Sequence, residues 1–242
     1  MLTAAAGMRA QLEALEVLGN NIANASTTGY KADREFYRLF LTEFARADPE
    51  TGEASWMPVT HASSTDFRQG AIESTKAPLD LALEGPGFFV VRAGAAEFYT
   101  RAGEFRTGAD GELVTADGMQ VLDDGGAPIV VPPVGEIDVA ENGLITVGGL
   151  SIARLGVVEV DQPASLTKVG TNLYAAPPET PPREAAATRV RQGALEGSNV
   201  NVAESAVRLM SATRSFEMLR RAASLIDGEM TRRAIDTLGS AG

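Results

Sequence analysis

Near the end of this 242-residue chain, Val202, Leu209, Phe216, Ala223 and Met230 recur every seven residues, and Ala212, Leu219 and Ile226 follow three of them by three. That is the a/d spacing of a helix that lays one apolar stripe along a partner, sustained over about four heptads. Such a helix is marginal alone in water, because most helical stability comes from packing its apolar face. The stripe therefore requires something to pack on. Asn199 or Asn201 can cap the start, with Glu204 in the first turn, and Gly239 lies just past the end. Gly228 interrupts the helix at a cost of about 1 kcal/mol relative to Ala.

A second helix is predicted over residues 1 to about 24. Met1, Met8, Leu12, Leu15 and Ile22 fall on one helical face, with Ala5 filling a gap, while Arg9, Glu13 and Glu16 fall elsewhere. The pattern ends at Asn24, and Ser26-Thr27-Thr28-Gly29 reads as a turn or helix cap. Asn20, Asn21 and Asn24 cluster where this helix stops. Two readings stand: amides capping free carbonyls at a frayed end, or an amide ladder across a helix–helix contact. Physics alone favours the first.

Between the helices the sequence is strand-like. Leu79, Leu81 and Leu83 alternate with Asp80, Ala82 and Glu84, as in a half-buried strand. Gly85-Pro86-Gly87 breaks the chain before Phe88-Phe89-Val90-Val91, a short strand of the buried type. Asp110-Gly111, Asp117-Gly118, Asp124-Gly125 and Asn142-Gly143 accept positive φ and suit tight β-turns. Strands are expected near 97–106, 113–122, 129–131, 137–140, 144–147 and 151–160. Residues 176–188 read as a loop, and the polar stretch 45–70 as an extended arm. The expected fold class is α+β, with N- and C-terminal helices packed as a coiled-coil-like pair and a central, mostly antiparallel β-rich domain. The expected division is an assembly helix and turn over 1–30 and a linking arm over 31–75. A β-rich outer domain follows over 76–190, then a C-terminal assembly helix over 191–242.

Composition excludes several functions. The absence of cysteine removes disulfide frameworks and thiolate zinc sites. A net charge of −11 argues against a nucleic-acid partner, which needs a basic face. No stretch approaches the roughly 18 apolar residues of a membrane span. The apolar run Leu2 to Met8 has no cationic residue before it, so it fails as a cleaved secretory signal. Residues 76–165 hold 14 acidic and 5 basic side chains, which makes the middle an acidic, solvated body.

No chemistry stands out. His61 is the single histidine and lacks a triad or HExxH context. Asp110, Asp117, Asp123 and Asp124 do not follow a calcium-loop pattern and read as turn residues. Gly85-Pro86-Gly87 precedes a strand, not a helix, and so is no phosphate loop. A glycosidase-type carboxylate pair is not singled out among 32 acids. The chain is therefore read as non-enzymatic, with no cofactor, no metal and no catalytic residue.

Three ordered motifs carry a resemblance. Residues 20–31, Asn20-Asn21-Ile22-Ala23-Asn24-Ala25-Ser26-Thr27-Thr28-Gly29-Tyr30-Lys31, resemble the N-terminal signature of bacterial flagellar rod and hook proteins. Residues 85–122, with GPGFFVV, FYTRAGEF and DGELVTADGMQVLD, are similar to that family's central block. Residues 193–204, GALEGSNVNVAE, are similar to the segment that opens its last helix. Ala77-Pro78-Leu79-Asp80-Leu81-Ala82-Leu83 and Arg214-Ser215-Phe216-Glu217-Met218 lean towards the proximal rod type, with the distal rod next. Thr28 stands where the family commonly has Pro, and Gly19 where it has a better helix former.

The resemblance implies a rod subunit of the flagellar basal body, in the periplasm, exported by the flagellum's own machinery without a cleaved signal. Its partners would be other rod subunits, copies of itself and the export machinery. Its assembly seam would be Met8, Leu12, Leu15 and Ile22 with Val202, Leu209, Ala212, Phe216, Leu219, Ala223, Ile226 and Met230. Its signature residues would be Asn20, Asn21, Asn24, Gly29, Tyr30, Ser198, Asn199 and Asn201. Two other classes compete. A β-core hydrolase predicts a pocket of converging acids. A generic coiled-coil tail or adhesin subunit shares the helices but leaves the three motifs unexplained.

Overall fold

A computed structural model describes residues 2–41 and 56–239 of the chain. Helix α1 spans Leu2–Ala23 and helix α2 spans Val202–Gly239, so Gly228 is carried inside an unbroken helix. Between them lie β1 (Asp33–Leu41), β2 (Trp56–Thr65) and sixteen shorter strands. The fold is α+β, with a β-rich antiparallel centre and a helix at each end. The chain divides into two compact units: α1 through Ile22, Asp33–Ser64 and α2 form one, and Ala23–Ala32 with Thr65–Val200 form the other.

In the helical unit, β1 pairs with β2, so much of the stretch read as an arm is a two-stranded ribbon. His61 lies on β2, and its side chain is outside the described residues. Among the described side chains of α1 the most buried are Ala10, Ala14 and Asn21, while Leu12 remains 47% exposed. Met8, Leu15 and Ile22 are half-buried. On α2 the half-buried stripe runs through Leu209, Ala212, Phe216, Leu219 and Ala223, and Val202 is exposed. The side chains of Ile226 and Met230 lie outside the described residues. The two helices approach at Gly7, where an added Cβ would sit 3.7 Å from Leu219 Cδ1.

The β unit is built on β5 (Phe88–Ala93), the middle of a nine-stranded sheet. It pairs with β6 (Ala96–Thr100), β9 (Gln120–Val121) and β13 (Val157–Glu159), all antiparallel. Phe89 and Val91 enter one apolar core with Leu81, Leu83, Phe105 and Val121. Phe88 and Val90 enter a second with Tyr99, Leu122 and Tyr174. A strand buried on both faces has no need of polar alternation, which explains the continuous Phe-Phe-Val-Val run.

The Asp-Gly turns behave as type I turns followed by a left-handed glycine. Between β8 (Leu113–Thr115) and β9, the Gly118 N–H donates to Thr115 O at 2.9 Å and Gly118 has φ +81°. Gly111 and Gly143 take the same conformation. In the Asp124-Gly125 turn it is Gly126 that does so, with its N–H on Asp123 O. Residues 189–196 form β17 (Arg189–Gln192) and β18 (Ala194–Glu196), which pair with β4 (Leu81–Glu84) and β3 (Ile72–Ser74). The segment opening the last helix is therefore sheet until Glu196, and α2 begins only at Val202.

Candidate functional site

The three motifs converge inside the β unit on one dry ionic cluster. Lys31 ends the Asn-rich turn, Arg101 closes the strand β6 segment, and Glu196 ends β18. All three side chains are buried, with exposures of 0%, 2% and 0%. Glu196 Oε1 accepts from Lys31 Nζ at 2.5 Å and from the Gly70 N–H at 2.8 Å. Glu196 Oε2 accepts from Arg101 Nη1 at 3.2 Å. The lysine also donates to Arg68 O, and Arg101 Nη2 to Gly85 O at 2.7 Å. The guanidinium lies 5.0 Å from the centre of the Phe88 ring. Among the described residues, no acceptor reaches the buried Arg101 Nε.

Burial pulls the Lys31 ammonium below its ordinary pKa, and the adjacent Glu196 carboxylate opposes that pull. Burial lowers Arg101 in the same sense, against the same carboxylate. Two cations and one anion removed from water are costly unless each keeps partners. The backbone carbonyls of Arg68 and Gly85 supply them.

The turn before Lys31 is shaped for this contact. Gly29 has φ +68°, and its N–H donates to Glu196 O at 2.7 Å. An added Cβ there would overlap the backbone of Arg101 and Ala102. Tyr30 is buried, with the Lys168 ammonium 4.1 Å from its ring centre and donating to Lys31 O. Asn199 completes the tie. Its Oδ1 accepts from the Ala32 N–H at 2.8 Å, and its Nδ2 donates to Asp66 O and Arg68 O. One amide thus joins three chain segments.

The other signature residues have smaller local roles. Asn201 caps α2, with Oδ1 on the Glu204 N–H at 3.1 Å, and Ser198 Oγ accepts from the Val200 N–H. Asn24 holds Thr27 through its side chain and its carbonyl. Asn21 belongs to the helical unit, where it exchanges two hydrogen bonds with the Asp33 backbone. That fixes the head of β1 and corresponds to neither a frayed cap nor an amide ladder. Lys31, Arg101 and Glu196 went unnamed as site residues, although each lies inside a quoted motif. No local signal singles them out, since residues 85–122 also carry Arg92, Glu97, Glu104, Arg106, Asp110, Glu112 and Asp117, and residues 193–204 also carry Glu204.

Nothing in this cluster is arranged for catalysis. Apart from Arg101 Nε, its polar atoms are spent on one another and on backbone, and its three side chains are buried. Among the described residues there is no group of acids and histidine that could hold a metal. No described helix is long and apolar enough to cross a membrane.

Three family models match in order along the chain: a flagella basal body rod protein at residues 1–31, the flagellar hook protein FlgE/F/G D1 domain at 82–160, and the flagellar basal body rod FlgEFG protein C-terminal region at 191–232. The flagellar basal-body rod protein FlgF of Caulobacter vibrioides is 36% identical over 228 residues, covering 93% of this chain and 91% of its own. The flagellar basal-body rod proteins FlgG of Borreliella burgdorferi and of Agrobacterium fabrum are each 32% identical, covering 93% and 89% of this chain and 93% and 90% of their own. The ionic cluster joins one residue from each matched or bridging segment, and with relatives aligned along nearly its whole length the chain belongs to the flagellar basal-body rod protein family, whose members are structural and not enzymes.

Proposed function

We propose that this structural rod subunit polymerises through its terminal helices and transmits torque from motor to hook. The observation that carries this reading is the half-buried stripe Leu209–Ala212–Phe216–Leu219–Ala223 on α2, which meets α1 at Gly7. In the assembled rod this stripe, extended by Val202, Ile226 and Met230, packs as a coiled-coil-like seam with Met8, Leu15 and Ile22. Torque transmission needs stiffness, and a packed seam supplies it: losing one large core side chain typically costs about 2–5 kcal/mol. The β unit, closed by its ionic cluster, is the outer body.

The placement is the proximal rod. The segments Ala77–Leu83 and Arg214–Met218 support it, and a FlgF-named relative shares more identity with the chain than the FlgG-named ones do. A distal-rod or hook-type axial subunit is the second reading, because the matched central domain is shared by all three types. The subunit works in the periplasm and arrives through the flagellar export machinery. Its partners there are other rod subunits and copies of itself.

A Phe216→Asp variant tests the seam. The expected result is a β unit with unchanged thermal unfolding, no variant in isolated basal bodies and no swimming. Normal swimming of cells carrying only this variant would show that the seam does not assemble the rod.

A further inference from the structure

The central sheet divides where β9 and β13 leave β5. Three residues close a ring of backbone hydrogen bonds at the split. The Val90 N–H donates to Gly156 O at 3.0 Å, the Leu122 N–H to Val90 O at 3.0 Å, and the Gly156 N–H to Leu122 O at 2.9 Å. A Cβ at Gly156 would lie 2.7 Å from Asp123 O, so glycine is what lets the strands meet this closely. Beside the junction, and bordered by residues 182–185, is a cavity of about 460 Å³. That lies within the roughly 300–1,000 Å³ of ligand sites. Its floor is the second apolar core: Val90, Tyr99 and Leu122 are buried, and Val158 is half-buried beside them.

Tyr99 is only 9% exposed, yet its hydroxyl makes no hydrogen bond among the described residues. Buried phenols ordinarily find a partner, so one that lines a cavity without one is poised to meet a group from outside. Burial and the Glu97 carboxylate raise its pKa above the ordinary value, so at neutral pH it keeps its proton and can donate.

The rim is charged and partly uncommitted. Arg183 is spent on Glu159 and Asp161, and Glu97 on Arg92. Asp124, Glu184 and Arg154 line the cavity, are exposed and form no ion pair among the described residues. Two free carboxylates therefore face one free guanidinium. A phosphate-like anion would meet both acids, and a purely apolar ligand would leave the phenol and the acids unanswered. An apolar side chain, a carbonyl and a cation in succession answer all of them, and that is the chemistry of a peptide.

We propose that this cavity binds an extended basic segment of a partner protein. The segment lays one branched apolar side chain on Val90 and Leu122, hydrogen-bonds the Tyr99 hydroxyl, and sets a lysine or arginine against Asp124 and Glu184. Arg154 takes a carbonyl of the same segment. Residues 76–165 carry 14 acidic and 5 basic side chains, so the field of the body also favours a basic partner. The site lies wholly within the β unit, and it holds or fails independently of how the terminal helices assemble.

The test is a titration of the full-length chain with capped tripeptides, followed through its amide resonances. The lysine–leucine–lysine peptide is expected to shift the amides of Val90, Leu122 and Gly156. Replacing its leucine by glycine, or its lysines by glutamate, is expected to abolish those shifts. Tyr99→Phe keeps the ring in its core and removes only the hydroxyl, and should weaken binding by about fivefold. Asp124→Lys with Glu184→Lys should transfer the preference to the glutamate peptide. The three peptides test the site on the wild-type chain even if a variant fails to fold. No shifts, shifts that miss the three amides, equal response to all three peptides, or wild-type affinity in folded Tyr99→Phe would each overturn the site. Shifts of the same amides on raising the protein concentration alone, lost in Tyr99→Phe, would assign the cavity to a second copy of the chain and overturn the basic partner.

Discussion

Lys31 Nζ lies 2.5 Å from Glu196 Oε1 across 165 residues of sequence, with neither side chain exposed to solvent. A pair this dry gains little over an apolar replacement of both partners, but removing one partner strands the other. Arg101 makes the loss larger, because it leans on the same carboxylate. Glu196→Gln is therefore expected to destabilise the β unit by about 3–5 kcal/mol, read from the shift of its denaturant midpoint. A shift well under about 1 kcal/mol would show that the carboxylate is not what satisfies the two cations.

Gly29 and Gly118 separate two effects of the left-handed backbone. Both have positive φ, but a Cβ at Gly29 would overlap the Ala102 backbone while one at Gly118 meets nothing within 4 Å. Gly118→Ala should cost about 1 kcal/mol from conformation alone. Gly29→Ala should cost clearly more, since conformational strain of about 1–3 kcal/mol adds to a clash between two backbones that cannot yield. Equal losses in thermal unfolding of the two variants would count against the packed turn.

Lys31 also sets a pH signature. Its pKa in the folded chain is lowered from 10.5 by burial. Between that lowered value and 10.5 the unfolded chain binds more protons, so this group favours folding increasingly as pH rises through the window. Below the window, the full cost of holding the ammonium dry is present. The stability difference, wild type minus Lys31→Met, should therefore grow as pH rises through that window towards 10.5. Denaturant titrations that show the difference shrinking would reverse the sign and refute the assignment.

Asn21 ties the end of α1 to the start of β1. Its Oδ1 accepts from the Asp33 N–H at 2.9 Å, and its Nδ2 donates to Asp33 O at 2.8 Å. Asn21→Ala leaves both backbone groups without their amide partner, at a cost of about 1–3 kcal/mol. Amide exchange at Asp33 should accelerate by about tenfold or more, the equivalent of ~1.4 kcal/mol. Asn21→Asp can accept but cannot donate, so it should fall between the two. Unchanged exchange in Asn21→Ala would mean that β1 is held by other contacts.

Much of this was legible in the chain because it is local. The a/d spacing of Leu209, Phe216 and Leu219 identified the inward stripe of α2, and the Asp-Gly pairs identified the turns. On α1, a hydrophobic-face reading ran through Leu12, whereas the most buried of its described side chains are Ala10, Ala14 and Asn21. Small residues and an amide are buried there by close approach and by hydrogen bonding, which apolar periodicity does not register. The partners of β17 and β18 were hidden for another reason. Arg189–Gln192 pairs with Leu81–Glu84 across about a hundred residues, and no local spacing encodes such a register. The ionic cluster was hidden in the same way, since each of its charges has an ordinary neighbourhood until the three segments meet.

That separation gives the Lys31–Glu196 pair a kinetic meaning. The pair has among the longest sequence separations in the body, and contacts of this kind close late because the loop entropy is met first. A chain that stops short of Glu196 holds two cations, Lys31 and Arg101, whose dry seats have no counter-charge. It cannot shut its body without stranding them. Closure of the β unit is therefore tied to the presence of both its first and its last motif, and a chain truncated before Glu196 is expected to lose cooperative unfolding of this unit.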